Sequence, residues 1–530
     1  MKSENSVLLC LLLTVACAPQ KDQSSDTARR PNILFAIADD ASFPHMSAYG
    51  SSWVNTPAFD RVATEGILFM RAYTPNAKCA PSRACILTGR NSWQLEEAAN
   101  HSPYFPARFM TFIEALTAHG YHTGYTAKGW APGDPGEVNG KKRELTGQAY
   151  NQFTTTPPAT GINKNNYAAN FEDFLNQKPE DQPFCFWYGS TEPHRSYEFG
   201  SGIEKGRKKL ADIGKVPAFW PDNDTVRTDM LDYAYEIEHF DQHLQTMLLL
   251  LEARGELENT IVVVTADNGM PFPRIKGQEY EYSNHLPLAI MWKGRIKKPG
   301  RQVEDFVSFI DFAPTFLEVA GIPADAVSME PMTGKSLTDI FFSEDAGQVI
   351  PDRNHVIIGK ERHDVGRPHD WGYPIRGIVT ARYIYLHNFE PDRWPAGNPE
   401  TGYLNTDGSP TKTMILQGRT SAETKHFWIA SFGKRPQDEL YQISRDPDCM
   451  DNLTLHPEFQ SIKAALKDQL FEQLKAEDDP RMFGKGHIFD QYEYAGDNSR
   501  NFYERYMNGE DIKAGWVNQS DFEKDFQEIK

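Results

Sequence analysis

The first strand signal of this 530-residue chain reads Ile33-Leu34-Phe35-Ala36-Ile37-Ala38-Asp39-Asp40. Its continuous apolar part is typical of a strand that is buried on both faces, as in a parallel sheet with helices on each side. A second short apolar run, residues 261–266, ends in the same way at Asp267 and Asn268. Ligands of such sheets bind outside the carboxyl ends of the strands, so these polar ends predict one shared site.

Helix and strand signals alternate around these two runs. Further strands are predicted at 121–127 and 184–189, and the strongest helical pattern covers residues 228–254, which Gly255 ends. This alternation predicts an α/β fold whose large, mixed, mostly parallel sheet carries helices on both faces. We expect this first domain to cover residues 31–351.

Short strand signals return after Asp352, at 356–358, 377–379, 383–386 and 439–443. A helical segment is predicted at about 457–476. The sequence therefore predicts a smaller C-terminal α+β domain with an antiparallel sheet, over residues 352–530 including the tail.

The overall charge excludes one class of partner. The formal net charge is −18 and the pI is near 5.3, whereas nucleic-acid-binding proteins carry a basic surface. We therefore expect no nucleic-acid partner, and an anionic substrate would need a local cationic pocket.

The first residues predict export from a bacterial cell. Lys2 precedes an apolar run, residues 7–16, that is too short to span a bilayer, so 1–16 is interpreted as a signal peptide. Residues 13–17 resemble a lipoprotein box with Cys17 as the lipidated residue and 17–30 as a polar tether. This interpretation predicts an exported lipoprotein of the cell envelope, held at the outer membrane, the cell surface or otherwise in the periplasm; the alternative is a plain secretory signal.

The polar strand ends point to a metal site. Asp39, Asp40, Asp267 and Asn268 offer only oxygen ligands, which suits a hard divalent cation such as Ca²⁺ better than zinc. The alternative is that each pair simply caps a helix or forms a turn.

A further motif is Cys79-Ala80-Pro81-Ser82-Arg83, which runs on to Thr88-Gly89-Arg90. Pro81 is well placed in the first turn of a helix that continues through Leu87. The Cys79 side chain would then lie where free backbone N–H groups attract anions. The alternative is that Cys79 is a small buried hydrophobic residue.

Together these motifs resemble the type I, formylglycine-dependent sulfatases of the alkaline-phosphatase superfamily, from about Pro31 to about Pro323. The resemblance implies that a separate formylglycine-generating or maturase enzyme oxidises Cys79 to formylglycine. The hydrated aldehyde of that residue attacks sulfur and then expels sulfate, which an ordinary serine cannot do. It also implies one Ca²⁺ per chain.

The resemblance assigns site residues by motif. The metal ligands would be Asp39, Asp40, Asp267, Asn268 and the residue derived from Cys79, and Arg83 would steady the formylglycine. Lys128, His194 and Lys276 would bind sulfate or protonate the leaving group, since lysines can offset a developing anion and a histidine can donate a proton near neutral pH. Alternatively, the lysines are solvated charges and His194 is merely packed or exposed.

One position departs from the family pattern. The family commonly carries a histidine two positions after the strand-end lysine, but this chain has Trp130 there. Trp130 cannot act as a base, so the base remains open; His101 is one candidate.

Finer resemblance points to the sulfamidase-like branch, through residues 267–273, 191–195 and the segment around Arg362. In that branch this last segment reaches the sugar, so Glu361, His363 and Arg376 are candidate substrate contacts. The alternative is that they are ordinary loop charges.

The expected activity is hydrolysis of the sulfate esters of a sulfated polysaccharide or its oligosaccharides, with an ulvan-type algal polymer favoured. One alternative is an N-sulfoglucosamine sulfohydrolase acting on heparan-type glycosaminoglycans. Another is an inactive glycan-binding lipoprotein in which Cys79 is never modified. A phosphatase or phosphodiesterase is less favoured, because those enzymes typically use Ser or Thr with two metals.

Overall fold

The computed structural model describes residues 29–523 and 526. These residues form two larger sheets and one two-stranded sheet, which pairs Glu137–Val138 with Lys141–Lys142. Cys17, the predicted signal peptide and the tether up to residue 28 lie outside these residues. The strands are β1 (Asn32–Ala38), β2 (Ile67–Tyr73), β3 (His122–Ala127), β4 (Glu137–Val138), β5 (Lys141–Lys142), β6 (Gln148–Ala149), β7 (Phe184–Gly189), β8 (Thr260–Ala266), β9 (His285–Trp292), β10 (Arg301–Val303), β11 (Val307–Ser308), β12 (His355–Lys360), β13 (Ile375–Thr380), β14 (Ile384–Asn388) and β15 (Asp438–Tyr441).

The larger sheet has nine strands in the order β10-β2-β9-β8-β1-β7-β3-β6, with β11 also paired to β2. Strand β1 lies between β7 and β8 and is parallel to both. Only β9 runs against its neighbours β2 and β8. The sheet is therefore mixed and mostly parallel, as the alternating pattern predicted.

The helices are α1 (Pro57–Thr64), α2 (Cys79–Thr88), α3 (Phe112–Ala118), α4 (Tyr167–Gln177), α5 (Ser201–Glu204), α6 (Asp224–Ala253), α7 (Glu281–Asn284), α8 (Phe312–Val319), α9 (Thr338–Phe342), α10 (Pro410–Gln417), α11 (Lys425–Phe432), α12 (Gln460–Ala476), α13 (Ile488–Gln491) and α14 (Phe502–Met507). None of those in the described part of the chain has both the length and the apolar character needed to cross a bilayer.

Side chains alternate across β1 and build two apolar layers, one on each face of the sheet. Leu34 and Ala36 belong to the layer that contains α1, α4 and α6. Ile33 and Phe35 belong to the layer that contains α2, α3 and α8. Every residue of β1 is buried, which explains the uninterrupted apolar run.

Helix α6 begins four residues before the predicted start at 228. The side chain of Asn223 accepts a hydrogen bond from the backbone N–H of Val226 and caps the helix there. The apolar periodicity of the sequence becomes visible only after this capped first turn.

The second sheet is antiparallel, in the order β12-β13-β14-β15. Leu466, Leu470 and Leu474 of α12 pack on it in a shared cluster that includes Ile378 and Tyr385. A small antiparallel sheet covered by one helix was the architecture expected of this region. The predicted boundary at 351 falls between α9 and β12.

Candidate active site

The polar ends of β1 and β8 meet at one edge of the sheet. Ala38, the last residue of β1, is the parallel partner of Ala266, the last residue of β8. Asp39 and Asp40 therefore lie beside Asp267 and Asn268, and the side chains of all four residues are buried.

The backbone φ of Asp40 is 74°, a value that residues other than glycine rarely adopt. Its N–H donates to Oδ1 of Asp267 over 3.1 Å, and the Asp267 N–H donates to the carbonyl of Ala38 over 3.1 Å. A positive φ at a non-glycine residue is held by its surroundings and is frequent at functional sites.

Cys79 is the first residue of α2, and its side chain points to the same edge. Its Sγ lies 3.4 Å from Oδ1 of Asp39 and 3.9 Å from Oδ1 of Asp40. Burial and the charge of Asp39 raise the pKa of the Cys79 thiol well above its usual value. An unmodified Cys79 is therefore a protonated thiol, not a nucleophilic thiolate.

Arg83 lies one turn along α2 from Cys79 and is fully buried. Its Nε donates to Oδ2 of Asp267 over 2.8 Å, and its Nη1 donates to the carbonyl oxygens of Lys128 and Gly129 over 2.7 and 2.8 Å. The guanidinium thereby ties helix α2 to the ends of β3 and β8.

Three basic side chains lie close to the carboxylates. Lys128 Nζ lies 2.5 Å from Oδ2 of Asp39, and Lys276 Nζ lies 2.6 Å from Oδ2 of Asp40. His194 Nδ1 donates to the carbonyl of Arg195 over 2.7 Å, and its Nε2 lies 3.9 Å from Oδ2 of Asp40.

The charges in this cluster determine its protonation. Burial alone would raise the pKa of Asp39, but Lys128 and other neighbouring cations lower it to about 2. Burial lowers the pKa of Lys128 and of Lys276, whereas the neighbouring carboxylates raise each one above its usual value. The two ammonium groups are therefore charged at neutral pH and can attract an anion.

The same residues fit a divalent cation. Ligand atoms of Asp39, Asp40, Asp267 and Cys79 all lie within 4.8 Å of one another. Oδ1 of Asn268 is buried beside them and has no hydrogen-bond partner. Carboxylate and amide oxygens are the donors that Ca²⁺ and Mg²⁺ prefer. The structure thus brings all five predicted ligands together, while the identity of the ion stays a prediction.

A cavity of about 860 Å³ opens above this cluster. Four residues predicted from the sequence line it, namely Cys79, Lys128, His194 and Lys276. The C-terminal segment after residue 483 also contributes Tyr494 and Trp516, of which Trp516 is 39% exposed. The pocket is polar and cationic at its base and partly aromatic at its wall.

Trp130, which replaces the expected histidine, also lines the cavity. Its indole Nε1 donates to the carbonyl of Ala80 over 3.1 Å, in the first turn of α2. Trp130 therefore packs against α2 and offers no proton acceptor. His101 lines the same cavity.

Two of the predicted substrate contacts lie elsewhere. Arg376 pairs with Glu361 over 2.7 Å and with Asp479 over 2.7 Å, and Arg481 pairs with Glu361 over 2.6 Å. Glu361 and Arg376 are 1% and 0% exposed, and neither lines the cavity. Their charges are satisfied inside the protein, so their placement disagrees with a contact to substrate.

His363 is also fully buried and does not line the cavity. Its Nε2 lies 2.9 Å from Oδ1 of Asn76, three residues before Cys79. The next residue, Asp364, does line the cavity, so the segment reaches the pocket one position later than expected.

The sequence-based prediction missed Asp407. Its Oδ2 lies 2.7 Å from Nζ of Lys276, which also pairs with Asp40. Asp407 lies in a loop between β14 and α10, where no periodic pattern or motif marks it. Lys78 and Asp364, which also line the cavity, were likewise not predicted.

Comparisons with known proteins agree with this geometry. Residues 31–322 match the family model described as Sulfatase. Residues 276–394 match a second model, described as N-sulphoglucosamine sulphohydrolase, C-terminal.

Two curated relatives cover most of the chain. An ulvan-active sulfatase of Formosa agariphila is 26% identical over 89% of this chain and 88% of its own length. The human N-sulphoglucosamine sulphohydrolase is 27% identical over 84% of this chain and 89% of its own length.

A solved structure, described as a complex with its substrate D-glucosamine-2-N,6-O-disulfate, shares the fold. It superimposes with a TM-score of 0.60 at 21% identity, covering 85% of this chain and 98% of that chain. These findings confirm the predicted family, fold class and enzyme class: the chain belongs to the sulfatase family, in its sulfamidase-like branch, and is a hydrolase of sulfate esters.

Proposed function

We propose that this protein is an exported sulfatase that removes sulfate from a sulfated polysaccharide or its oligosaccharides, using Ca²⁺ and a formylglycine formed from Cys79. The observation that carries the proposal is the position of Cys79 at the base of the cavity. Its Sγ lies 3.4 Å from Asp39, among the oxygen donors, and Lys128 and Lys276 lie beside those donors.

The chain's own residues would bind and orient the sulfate group. Lys128 and Lys276 place fixed positive charges where the anion would sit, and such preorganised charges also stabilise charge that develops during reaction. The Nδ1–H of His194 is held by the Arg195 carbonyl, so the ring would give a proton from Nε2 to the leaving oxygen in its doubly protonated form. Arg83 holds α2, and with it residue 79, in position.

Two groups would complete the site. A cation held by Asp39, Asp40, Asp267 and Asn268 would supply Lewis-acid polarisation of a sulfate oxygen. Formylglycine at position 79 would supply the nucleophile. An unmodified Cys79 would be a poor one, because its raised pKa keeps the thiol protonated.

The size and lining of the cavity support a sugar sulfate as substrate. A cavity of about 860 Å³ is large for a sulfate group alone and lies within the usual range for binding sites of larger ligands. Its wall offers polar groups and the exposed indole of Trp516. The relative that is described as ulvan-active favours an ulvan-type polymer.

A second candidate is hydrolysis of the N-sulfate of glucosamine. It is favoured by the match of residues 276–394 to the C-terminal model of N-sulphoglucosamine sulphohydrolase and by the human relative of that name. This activity would use the same cationic base of the pocket and would differ only in the bond that is cleaved.

The test is to co-express the protein with a formylglycine-generating enzyme and measure sulfate release from sulfated oligosaccharides. The panel would include ulvan fragments, heparan-type N-sulfated fragments and a small aryl sulfate. Release from ulvan fragments supports the first proposal, and release only from N-sulfated glucosamine supports the second. Mass spectrometry of the peptide around Cys79 tests the third possibility: an unconverted Cys79 together with glycan binding would indicate an inactive glycan-binding protein.

We also propose that Cys17 is lipidated and holds the enzyme at the bacterial cell envelope. The support is the sequence pattern of residues 13–17 alone. Labelling cells with a radioactive fatty acid tests it, because Cys17→Ala should lose both the label and membrane association.

A further inference from the structure

A histidine and an aspartate form a pair in the cavity wall. Nδ1 of His101 lies 2.9 Å from Oδ1 of Asp364, and both residues line the cavity that contains Cys79. The two chain segments are also joined by their backbones, because the His101 N–H donates to the carbonyl of Arg362 over 3.0 Å. The pair is therefore held in place from both sides.

Lys78 completes the group. Its Nζ lies 2.6 Å from Oδ2 of Asp364, and the next residue along the chain is Cys79. Burial alone would raise the pKa of Asp364, but Lys78 and His101 hold it well below its usual value. Asp364 is thus a carboxylate with one oxygen in an ion pair with Lys78 and the other accepting a hydrogen bond from His101.

The contact with Asp364 determines which nitrogen of His101 carries the proton. A carboxylate accepts hydrogen bonds, so Nδ1 donates and a neutral ring carries its lone pair on Nε2. Burial lowers the pKa of His101, which favours this neutral form. Nε2 is buried and has no hydrogen-bond partner within the described protein.

A buried polar atom without a partner carries a free-energy cost and requires an explanation. His101 is 8% exposed, so bulk water does not simply solvate the whole ring. His101 lines the cavity, so an unsatisfied acceptor on its ring is explained if a ligand bound there supplies the donor. A sulfate group cannot be that donor, because its oxygens carry no hydrogen at neutral pH.

We propose that Lys78, Asp364 and His101 form a subsite for a sugar hydroxyl, in which Nε2 of His101 accepts the hydroxyl hydrogen. The subsite combines one ammonium, one carboxylate and a neutral ring, so it has no net charge and favours a neutral group over a second sulfate. The cationic base formed by Lys128 and Lys276 holds the reacting sulfate, and the hydroxyl subsite selects the sugar that carries it.

The proposal rests on the proposed function, since it requires a sugar sulfate as substrate. His101→Phe keeps a planar ring of similar size and removes the acceptor. This variant should lower kcat/KM for the preferred sulfated oligosaccharide about tenfold more than for 4-nitrophenyl sulfate, the change expected for one hydrogen bond. His122→Phe is a matched control, because His122 of β3 stacks on Phe174 of α4 and does not line the cavity.

Binding gives a second readout that does not need conversion of Cys79. Calorimetry on the unconverted protein should show about tenfold weaker binding of the sulfated oligosaccharide to His101→Phe. Binding of inorganic sulfate, which has no hydroxyl to donate, should change much less. Both results together support the hydroxyl subsite.

Asp364 is a positioning residue in this scheme, and its test reads the His101 ring directly. In Asp364→Asn the side chain can present its amide N–H₂ to the ring, so ¹⁵N NMR should show His101 shifted toward the tautomer with the proton on Nε2. A merely structural Asp364 would leave the tautomer of a folded variant unchanged, and that result would overturn its role.

The outcomes separate this subsite from the proposed function. A wild-type enzyme that hydrolyses only the aryl sulfate contradicts the sugar substrate class, and the subsite with it. A wild-type enzyme that is active on sugars, with equal losses on both substrates in His101→Phe, overturns the subsite alone and assigns His101 to the chemical step. If His101→Phe loses activity on neither substrate, the subsite is overturned as well.

Discussion

Arg83 and Asp267 form a buried ion pair, with Nε of the arginine 2.8 Å from Oδ2 of the aspartate. Neither side chain is exposed to solvent. The pair joins the helix that begins at Cys79 to the end of β8, so the position of Cys79 and that of a predicted metal ligand depend on one contact. A substitution of Asp267 is therefore expected to affect both the metal site and the position of Cys79.

Conversion of Cys79 to formylglycine is the first testable requirement. Cys79→Ser should abolish turnover without lowering the melting temperature, because a serine could accept sulfate but has no second oxygen with which to release it. Activity on an aryl sulfate and thermal unfolding are measured together.

Cys85→Ala is the control for this variant, since Cys85 is buried on the same helix and should be dispensable for activity. Multiple turnovers by Cys79→Ser would contradict the formylglycine mechanism. Both variants need co-expression with the maturation enzyme.

The second prediction concerns the cation. Asp267→Ala should lower both bound Ca²⁺ and activity, because it removes a charged oxygen from the donor set and takes from Arg83 the nearer of its two carboxylate partners. Elemental analysis of the purified protein counts the ion. Loss of a buried pair is also expected to cost about 3–5 kcal/mol of stability, so occupancy must be measured on folded protein.

Asp311→Ala provides the matched control. Asp311 is buried and pairs with Arg353 over 2.7 Å. Neither residue is a predicted metal ligand, so Asp311→Ala should lower the stability by a similar amount and leave the metal site intact. Full Ca²⁺ occupancy in Asp267→Ala would show that the donor set is assigned wrongly.

The parts of the site that the sequence predicted are those that follow regular elements. β1 and β8 are buried on both faces, so their sequences are uninterrupted apolar runs, and the residues that follow them could be placed at one sheet edge. The helix start at Cys79 was likewise marked by Pro81. These signals are local, so they can be recognised in the sequence without knowledge of the tertiary contacts.

The residues that the sequence-based prediction missed or misplaced owe their positions to contacts between segments that are distant along the chain. Asp407 reaches Lys276 from 131 positions away along the chain, and no local pattern marks it. Arg376 and Glu361 were predicted as substrate contacts because their partners, Asp479 and Arg481, lie more than 100 residues further on and could not be paired with them from the sequence. Only the folded chain shows that these charges neutralise one another.

The third prediction follows from that buried cluster. Arg376→Ala should lower the free energy of unfolding by about 3–5 kcal/mol, because two carboxylates would remain buried without their shared partner. It should reduce activity on an oligosaccharide and on an aryl sulfate by the same factor. Arg382→Ala, at an exposed position, is the control and should change neither. A selective loss on the oligosaccharide would restore Arg376 as a substrate contact.

The last prediction concerns the pH dependence of stability. Burial lowers the pKa of His45 from 6.5 to about 3, and its Nδ1 lies 3.2 Å from the hydroxyl of Tyr233. Above pH 6.5 the ring is neutral in both the folded and the unfolded state, so the stabilising contribution is complete there. Below that pH the unfolded chain binds a proton that the folded chain does not, and the free energy of unfolding falls until about pH 3.

His45→Gln removes the titration and keeps a side chain that can bond to Tyr233. Between about pH 7.5 and pH 5, wild type should therefore lose about 2 kcal/mol more of its unfolding free energy than this variant, at roughly 1.4 kcal/mol per pH unit below 6.5. Urea unfolding at the two pH values measures the difference. His426→Gln, at an exposed position, should follow the wild-type pH dependence. If His45→Gln follows it too, His45 is protonated in the folded protein and its pKa is not depressed by burial.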